Sequence, residues 1–517
     1  MTRRPTRIVV VGAGIGGLTA AALLAQAGCD VTVLEGQTYP GGSAGTFSHK
    51  GYRFDAGATV AGGFQPDGPH ALIAEKLDLT WDVRLHDPAW VVHLPDRQVR
   101  LCRDNVDVVS SFPNTARFWE AQSRLASLGW SLSGQGLPWP PASAAEAAQL
   151  IRAALRNLPG DLELAPYALM SAYQWLKLSR LADDPAFVRF IDAQLLISAQ
   201  TTSRGANAVY SATALDLARQ GVYHARGGMG GIAETLVARI RDLGGRVRYR
   251  QKVTKVDVRD GRVVSMKTKR GDEFPCDFLI ANLTPWSLDS LLGDDSPQKL
   301  RHEVESREAG WGAFVMHLGV RADALPDDLP DHHQVVESYD GPLGETRSVF
   351  LSMSPHWDAD RAPKGHRAVT VTTHTRVGPW WDLLTSDPDA YAARKDEYAE
   401  KMLGNIERAI PGFRSAVTLN LPGTPVTYEF YTGRHLGMVG GFPQSSLFRA
   451  RSPWTGLSNA RLVGDSIFPG QSTAGVSLGA LRVAQDVLRR VVPGQHDHAR
   501  SSRRVAAEEP VPDEVLT

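Results

Sequence analysis

The chain has 517 residues, 43% hydrophobic and 22% charged, which fits a globular protein too long for one core, so two or three interlocked domains are expected. Lys plus Arg and Asp plus Glu both number 56, and a chain without net charge has no bulk attraction for nucleic acid or another polyanion. Cys29, Cys102 and Cys276 form no CxxC pair and the 15 histidines show no HExxH spacing, so neither a disulfide framework nor a motif-borne metal site is expected, and a reducing cytoplasm is the natural compartment.

Met1 to Arg7 is basic, and the apolar run Ile8–Val11 breaks at once into glycines, too short for a signal peptide. It reads as a strand buried on both faces, followed by an Ala- and Leu-rich helix over 18–27 closed by Gly28, and a strand over 31–34. Gly12, Gly14 and Gly17 form GxGxxG between strand and helix. In such a turn the first glycine permits the bend, the second lets backbone approach a pyrophosphate and the third lets helix pack on strand. The helix N-terminus offers free N–H groups, with Ala13 beside them. Glu35, 18 residues after Gly17, supplies a carboxylate for a ribose diol. The loop 40–46, with Gly41, Gly42 and Ser43, is small enough to pass under a pyrophosphate and flavin. Residues 54–59 form a short strand and turn.

From 69 to 220 the pattern is mixed. A hairpin over 91–94 and 98–101 turns at Pro95-Asp96, a loop covers 130–142, and helices are predicted over 115–128, 144–155, 165–178 and 187–197. Near Gly227 the nucleotide domain resumes with a helix over 232–243 and strands over 247–249, 253–258, 263–268 and 278–281, with Asp260-Gly261 as a hairpin turn. A second excursion, 291–455, carries strands over 313–320, 349–353 and 368–373 and a helix over 391–410. The strand over 461–464 and the helix over 474–491 close the nucleotide domain. Gly464-Asp465 ends that strand, where a carboxylate can hold a ribityl chain. The helix starting near Gly475 and Val476 points its N-terminus at the pyrimidine edge of a flavin. NAD enzymes need no such second element, so it separates FAD from NAD. The expected class is α/β: a Rossmann-like FAD-binding domain from 1–68, 221–290 and 456–492, with an inserted α+β substrate domain (mixed sheet plus helices) from 69–220 and 291–455. The polar tail 493–517 is expected to be disordered. No run of about 18 apolar residues predicts a membrane-spanning helix.

VVVGAGIGGLTAAALLA (9–25), the 40–46 loop, FDAGAT (54–59) and the LVGDS…GVSLGA ending resemble the FAD-dependent phytoene desaturase and amine oxidase superfamily. VYHARGGM (222–229) with LGG (243–245) resembles its carotenoid desaturase and isomerase branch. TPVT (424–427), YTGR (431–434) and VGGFPQ (439–444) look most like bacterial carotenoid 3′,4′-desaturases. The resemblance covers about residues 7–491. It implies that Val253 meets the adenine through its backbone, that Gly57, Ala58 and Thr59 lie near the flavin, and that FAD is noncovalent. Thr38 and Tyr39 precede Pro40 where many relatives carry an arginine.

The resemblance implies a carotenoid desaturase acting at the 3′,4′ bond of an acyclic or monocyclic carotenoid. A carotenoid cis–trans isomerase or ketolase stays open, as do a flavin amine oxidase and, from another class, a non-catalytic carotenoid carrier. No catalytic base is identified. His224 and Arg226 are the candidates, with a structural role as the alternative. The apolar helices between 165 and 200 and the pair Trp380-Trp381 are candidates for a tunnel, with core packing as the alternative. Without a second GxGxxG, oxygen or a membrane quinone is the expected electron acceptor. A peripheral contact with a membrane surface, on the inner face of the cytoplasmic membrane, would give access to the carotenoid.

Overall fold

The computed structural model describes residues 4–134, 138–142, 144–157 and 164–491; the tail expected to be disordered lies outside the described residues. Ile8 to Val11 are buried, as a strand of β-branched residues must be when both its faces are covered. This strand, Arg7–Val11, is the centre of a five-stranded parallel sheet. The sheet runs Ala460–Leu462, Phe278–Ala281, Arg7–Val11, Asp30–Leu34 and Arg246–Arg248 in space. Its strands thus come from three stretches far apart in sequence. The helices Ile15–Gln26, Gly230–Asp242 and Thr473–Val491 pack together on it. Alanine along Ile15–Gln26 lets its neighbours approach closely.

The second sheet has seven strands, in the order Val417–Gly423, Trp311–Arg321, His366–Arg376, Ser348–Met353, His332–Val336, Trp90–His93 and Gln98–Leu101. All pairs are antiparallel except His332–Val336 with Trp90–His93. Alternation along its strands sorts two faces. Phe314, Met316, Leu318, Val349, Leu351, Val369 and Val371 face out and pack under the helices Gly378–Ser386 and Pro388–Ala409. The opposite face carries His317, Thr370, Ser352 and His332, which the register aligns in one row across four strands. A third, three-stranded antiparallel sheet follows Val253, with the Asp260-Gly261 turn at φ 49° and 69°.

Several expectations need correction. The helix predicted over 165–178 is two, Ala165–Ala168 and Ala172–Leu178. Ser171 and Gln174 form a capping box that starts the second. The predicted loop 130–142 begins as helix, because Ala116–Gly134 runs on through its Ser and Gly residues. The strand predicted at 54–59 is Tyr52–Asp55, paired with Thr46–His49. Strands His332–Val336 and Val417–Gly423 were missed, the first because His-His-Gln is polar and the second although Val417 to Leu421 alternates apolar and polar. Trp380 is fully buried against Phe314 and Tyr398 and belongs to the outer core of the seven-stranded sheet, so it lines no tunnel. Trp381 donates its indole N–H to the Leu436 carbonyl. No helix among the described residues is long and apolar enough to cross a membrane.

Candidate functional site

Four neighbouring parallel strands finish at one edge of the five-stranded sheet. Just beyond them stand, in sheet order, Gly464, Asn282, Gly12 and Glu35. The ladder extends past the strand ends: Gly12 N–H donates to Leu34 at 2.8 Å, Asn282 N–H to Val11 at 2.9 Å and Val463 N–H to Ala281 at 3.0 Å. Open α/β sheets hold their ligands outside this edge.

Gly12, at φ +95°, turns the chain toward the helix Ile15–Gln26, whose N-terminus at Gly14 has no side-chain cap. Its first N–H groups are left for a partner outside the helix, which favours an anion. A Cβ on Gly17 would sit 2.5 Å from the Gly12 carbonyl oxygen, and one on Gly14 would sit 2.5 Å from Nδ2 of Asn282. Asn282 therefore fills the inside of the turn. Oε2 of Glu35 accepts the Ala13 N–H at 2.7 Å and Oε1 accepts the Gln37 N–H at 2.8 Å. Burial raises the Glu35 pKa against these backbone bonds. Each oxygen keeps a lone pair for a further donor. Val253 begins the three-stranded sheet next to this carboxylate's strand end, where Gln251 N–H donates to the Glu35 carbonyl at 2.7 Å.

The second glycine loop joins the first directly. Gly41 N–H donates to the Ala13 carbonyl at 2.8 Å, and Gly14 and Gly41 form a parallel bridge. From Gly42 and Ser43 the contact passes on: Ala58 N–H donates to the Ser43 carbonyl at 2.9 Å. Gly57, Ala58 and Thr59 are thereby held beside the loop, and Ser352 Oγ donates to Thr59 Oγ1 at 2.8 Å from the sheet above. On the other flank, a Cβ on Gly16 would meet Gly464 N at 3.1 Å. Asp465 pairs with Arg434 at 3.0 Å. Burial disfavours charge on Arg434, and the Asp465 carboxylate outweighs it. Gly475 and Val476 lie in the first turn of Thr473–Val491, where the Ser472 hydroxyl accepts the Gly475 N–H at 3.0 Å. The structure thus brings Gly12, Gly14, Gly17, Glu35, Gly41 and Gly464 to one edge. Sequence reasoning missed Asn282 and Arg434. Asn282 occupies the same place after its strand as Gly12 does after its own, a signal visible only once strand order is known.

His224 and Arg226 lie elsewhere. His224 Nε2 is 2.8 Å from Asp358 Oδ2, buried beneath Trp357. Burial lowers its pKa despite that partner. Arg226 is exposed, bonds Asp82 at 2.5 Å and covers the Trp357 ring. Neither touches the glycine turns.

Next to Thr59, Val60 lines a cavity of about 30 Å³ between the helix Pro185–Ala199 and the polar face of the seven-stranded sheet. Trp90, Trp119, Phe190, Leu217 and Phe350 line it, with Gln194 and Ser198 as its polar side chains. Its lining is mostly apolar, as that of ligand sites commonly is. Gln194 is fixed by its 2.6 Å bond to Gln334.

Residues 15–488 match the family described as flavin containing amine oxidoreductase. The chain is 30% identical to prolycopene isomerase 1, chloroplastic, of an Oncidium hybrid cultivar, over 93% of this chain and 83% of that protein. It is 26% identical to the lycopene-forming phytoene desaturase of a Paracoccus species, over 93% of this chain and 97% of the other. An oxidoreductase from Methanosarcina mazei shares the fold at TM-score 0.62 and 18% identity, over 93% of this chain and all of that one. The glycine turns at the sheet edge and a match over nearly the whole chain lead to one conclusion: this protein belongs to the flavin containing amine oxidoreductase family.

Proposed function

We propose that the chain is an FAD-dependent oxidoreductase of carotenoid biosynthesis that desaturates an acyclic or monocyclic carotenoid, at the 3′,4′ bond. The observation that carries this reading is the loop Gly57–Thr59, hydrogen-bonded to the glycine turns and followed at Val60 by an apolar lining. A polyene has no group for a charged pocket to grip, so shape and water exclusion must hold it. Noncovalent FAD fits the sheet edge. The uncapped N-terminus at Gly14 would take its pyrophosphate, Glu35 a ribose and Asp465 the ribityl chain. When bound, FAD supplies a hydride acceptor beside the void. Trp90, Phe190 and Phe350 would orient the chain, and the Gln194–Gln334 pair would fix one end of the channel. Oxygen or a quinone would take the electrons.

Identity favours a second reading. The prolycopene isomerases, at 29–30%, exceed the phytoene desaturases and dehydrogenase, at 25–26%, when set beside this chain. Expression in cells accumulating defined carotenoids, followed by pigment mass and absorption, separates the readings. A loss of two hydrogens supports desaturation. An unchanged mass with a shifted spectrum supports isomerisation, and added oxygen a ketolase. Bound flavin with no change in any pigment would overturn catalysis in favour of a carrier. We further place the protein in the cytoplasm with a peripheral membrane contact, supported by the exposed Ile151, Leu169 and Leu178. Flotation with neutral and anionic liposomes tests it, and a protein that stays wholly soluble with both would refute it.

A further inference from the structure

Between the loop Gly57–Thr59 and the outer surface runs a line of polar side chains, buried from Ser352 through His332, His86 and His224 to Asp358. Thr59 Oγ1 accepts from Ser352 Oγ at 2.8 Å, and Ser352 Oγ meets His332 Nδ1 at 2.9 Å. The hydroxyl hydrogen of Ser352 is turned to Thr59, so His332 is the donor at Nδ1 and its Nε2 carries no hydrogen. That Nε2 is buried without a partner. The ring of His86 lies against His332, centroids 4.3 Å apart. His86 gives Nδ1 to Asp331 at 3.2 Å, and its Nε2 is likewise buried and unpartnered. Beyond His86, at 5.8 Å between centroids, stands His224, bonded to Asp358 at 2.8 Å. Asp358 is buried with Oδ1 unpartnered, while the next two residues, Ala359 and Asp360, are exposed. The line therefore starts beside the apolar void and ends one residue from solvent.

Buried polar atoms are ordinarily satisfied, and three unpaired ones along a single line call for an explanation. We propose that Thr59, Ser352, His332, His86, His224 and Asp358 form a proton route between the flavin-side loop and the exterior. The inference rests on the oxidoreductase reading given above and deepens it. Desaturation breaks two C–H bonds. One hydrogen leaves with both electrons to the bound flavin. The other leaves as a proton, and its bonding pair becomes the new π bond. Each hydroxyl in the line passes on its own hydrogen while accepting another. As the bonds stand the donors point inward, His332 Nδ1–H to Ser352 and Ser352 Oγ–H to Thr59. A proton therefore enters through the bare Nε2 atoms. For one to leave, the Ser352 hydroxyl turns to His332 and the His332 hydrogen moves to Nε2. A ring turn or one bridging water covers each imidazole-to-imidazole step. When the electrons pass to oxygen or a quinone, a proton returns by the same line. Isomerisation has no net proton to move, so the route favours desaturation.

The groups facing His332 are His86 and His224 from neighbouring strands, Asp331 and His333 on its own strand, Ser352 opposite, and Arg367, which holds Asp331. Burial, reinforced by His86, keeps His332 neutral, with Asp331 opposing. A neutral imidazole has one bare nitrogen to accept a proton and one N–H to release it.

The test follows proton uptake rather than turnover. Flavin in the purified holoprotein is photoreduced anaerobically beside a pH-indicator dye, and dye and flavin signals are timed together. In the wild type they should coincide. Ser352→Ala and, independently, His86→Asn should retain flavin yet delay proton uptake on the order of 10²-fold, and Ser352→Thr should restore it. Uptake as fast as in the wild type in both variants would overturn the route. Loss of flavin in both would also overturn it, since the line would then be holding the loop in place. Delayed uptake in a protein that alters no carotenoid would keep the route and sink the substrate reading. Normal uptake with intact desaturation would do the reverse.

Discussion

At the edge of the five-stranded sheet the working groups are backbone: the turn at Gly12, the uncapped N–H groups after Gly14, the bridge from Gly14 to Gly41. On the inner face of the seven-stranded sheet they are side chains, His317, Thr370, Ser352 and His332, supplied by four strands and aligned only by register. A backbone site is local and must be written in adjacent glycines. A side-chain site is assembled by pairing and leaves no contiguous motif. The first kind tolerates almost no substitution at its turn. The second has buried imidazoles, which make it sensitive to acid.

The sharpest way to break this contrast is Gly14→Val. A Cβ there already lies 2.5 Å from the Asn282 amide, so the variant should purify without flavin absorbance; a fully yellow protein would contradict the site. Acid comes next. Burial lowers the pKa of His93, His317 and His374 from 6.5 to about 4, and all three belong to the seven-stranded sheet. Above pH 6.5 their contribution is complete. Between 6.5 and 4 the unfolded chain binds protons that the folded chain refuses, so stability falls by at most about 1.4 kcal/mol per pH unit for each. Denaturant midpoints taken from pH 7 to pH 4 should hold above 6.5 and then drop steadily; a flat profile would mean that these rings are not neutral and buried. Trp380→Ala should cost about 3–5 kcal/mol through the outer core, read by the same midpoint. Asp465→Ala should weaken FAD binding by about 1.5–3 kcal/mol, measured by flavin titration. Unchanged affinity would detach the C-terminal element from the cofactor.

The same contrast decides what the amino-acid order discloses. Gly12, Gly14, Gly17 and Glu35 are legible because turn, helix and acidic strand end are consecutive and each residue type answers a steric or charge requirement. Gly464-Asp465 is legible for the same reason, by analogy with the first turn. Asn282 is not, since nothing around Leu283-Thr284-Pro285 says that its strand neighbours Arg7–Val11. Arg434 is hidden because its partner lies on another element altogether. In the seven-stranded sheet, His332–Val336 reads HHQVV, polar enough to pass for a loop; its strand character comes from two neighbours that pair with it. Trp380-Trp381 suggested an apolar channel, but an aromatic pair cannot reveal which side of a sheet it covers.

The central strand, Arg7–Val11, is made long before the flank Ala460–Leu462. At about 5–20 residues per second on the ribosome, the first glycine turn waits on the order of half a minute for its last neighbour. Throughout that time Asn282 and Gly464 have no common edge to complete. A nascent protein stalled before Ala460 should therefore hold flavin less tightly than one that carries this flank.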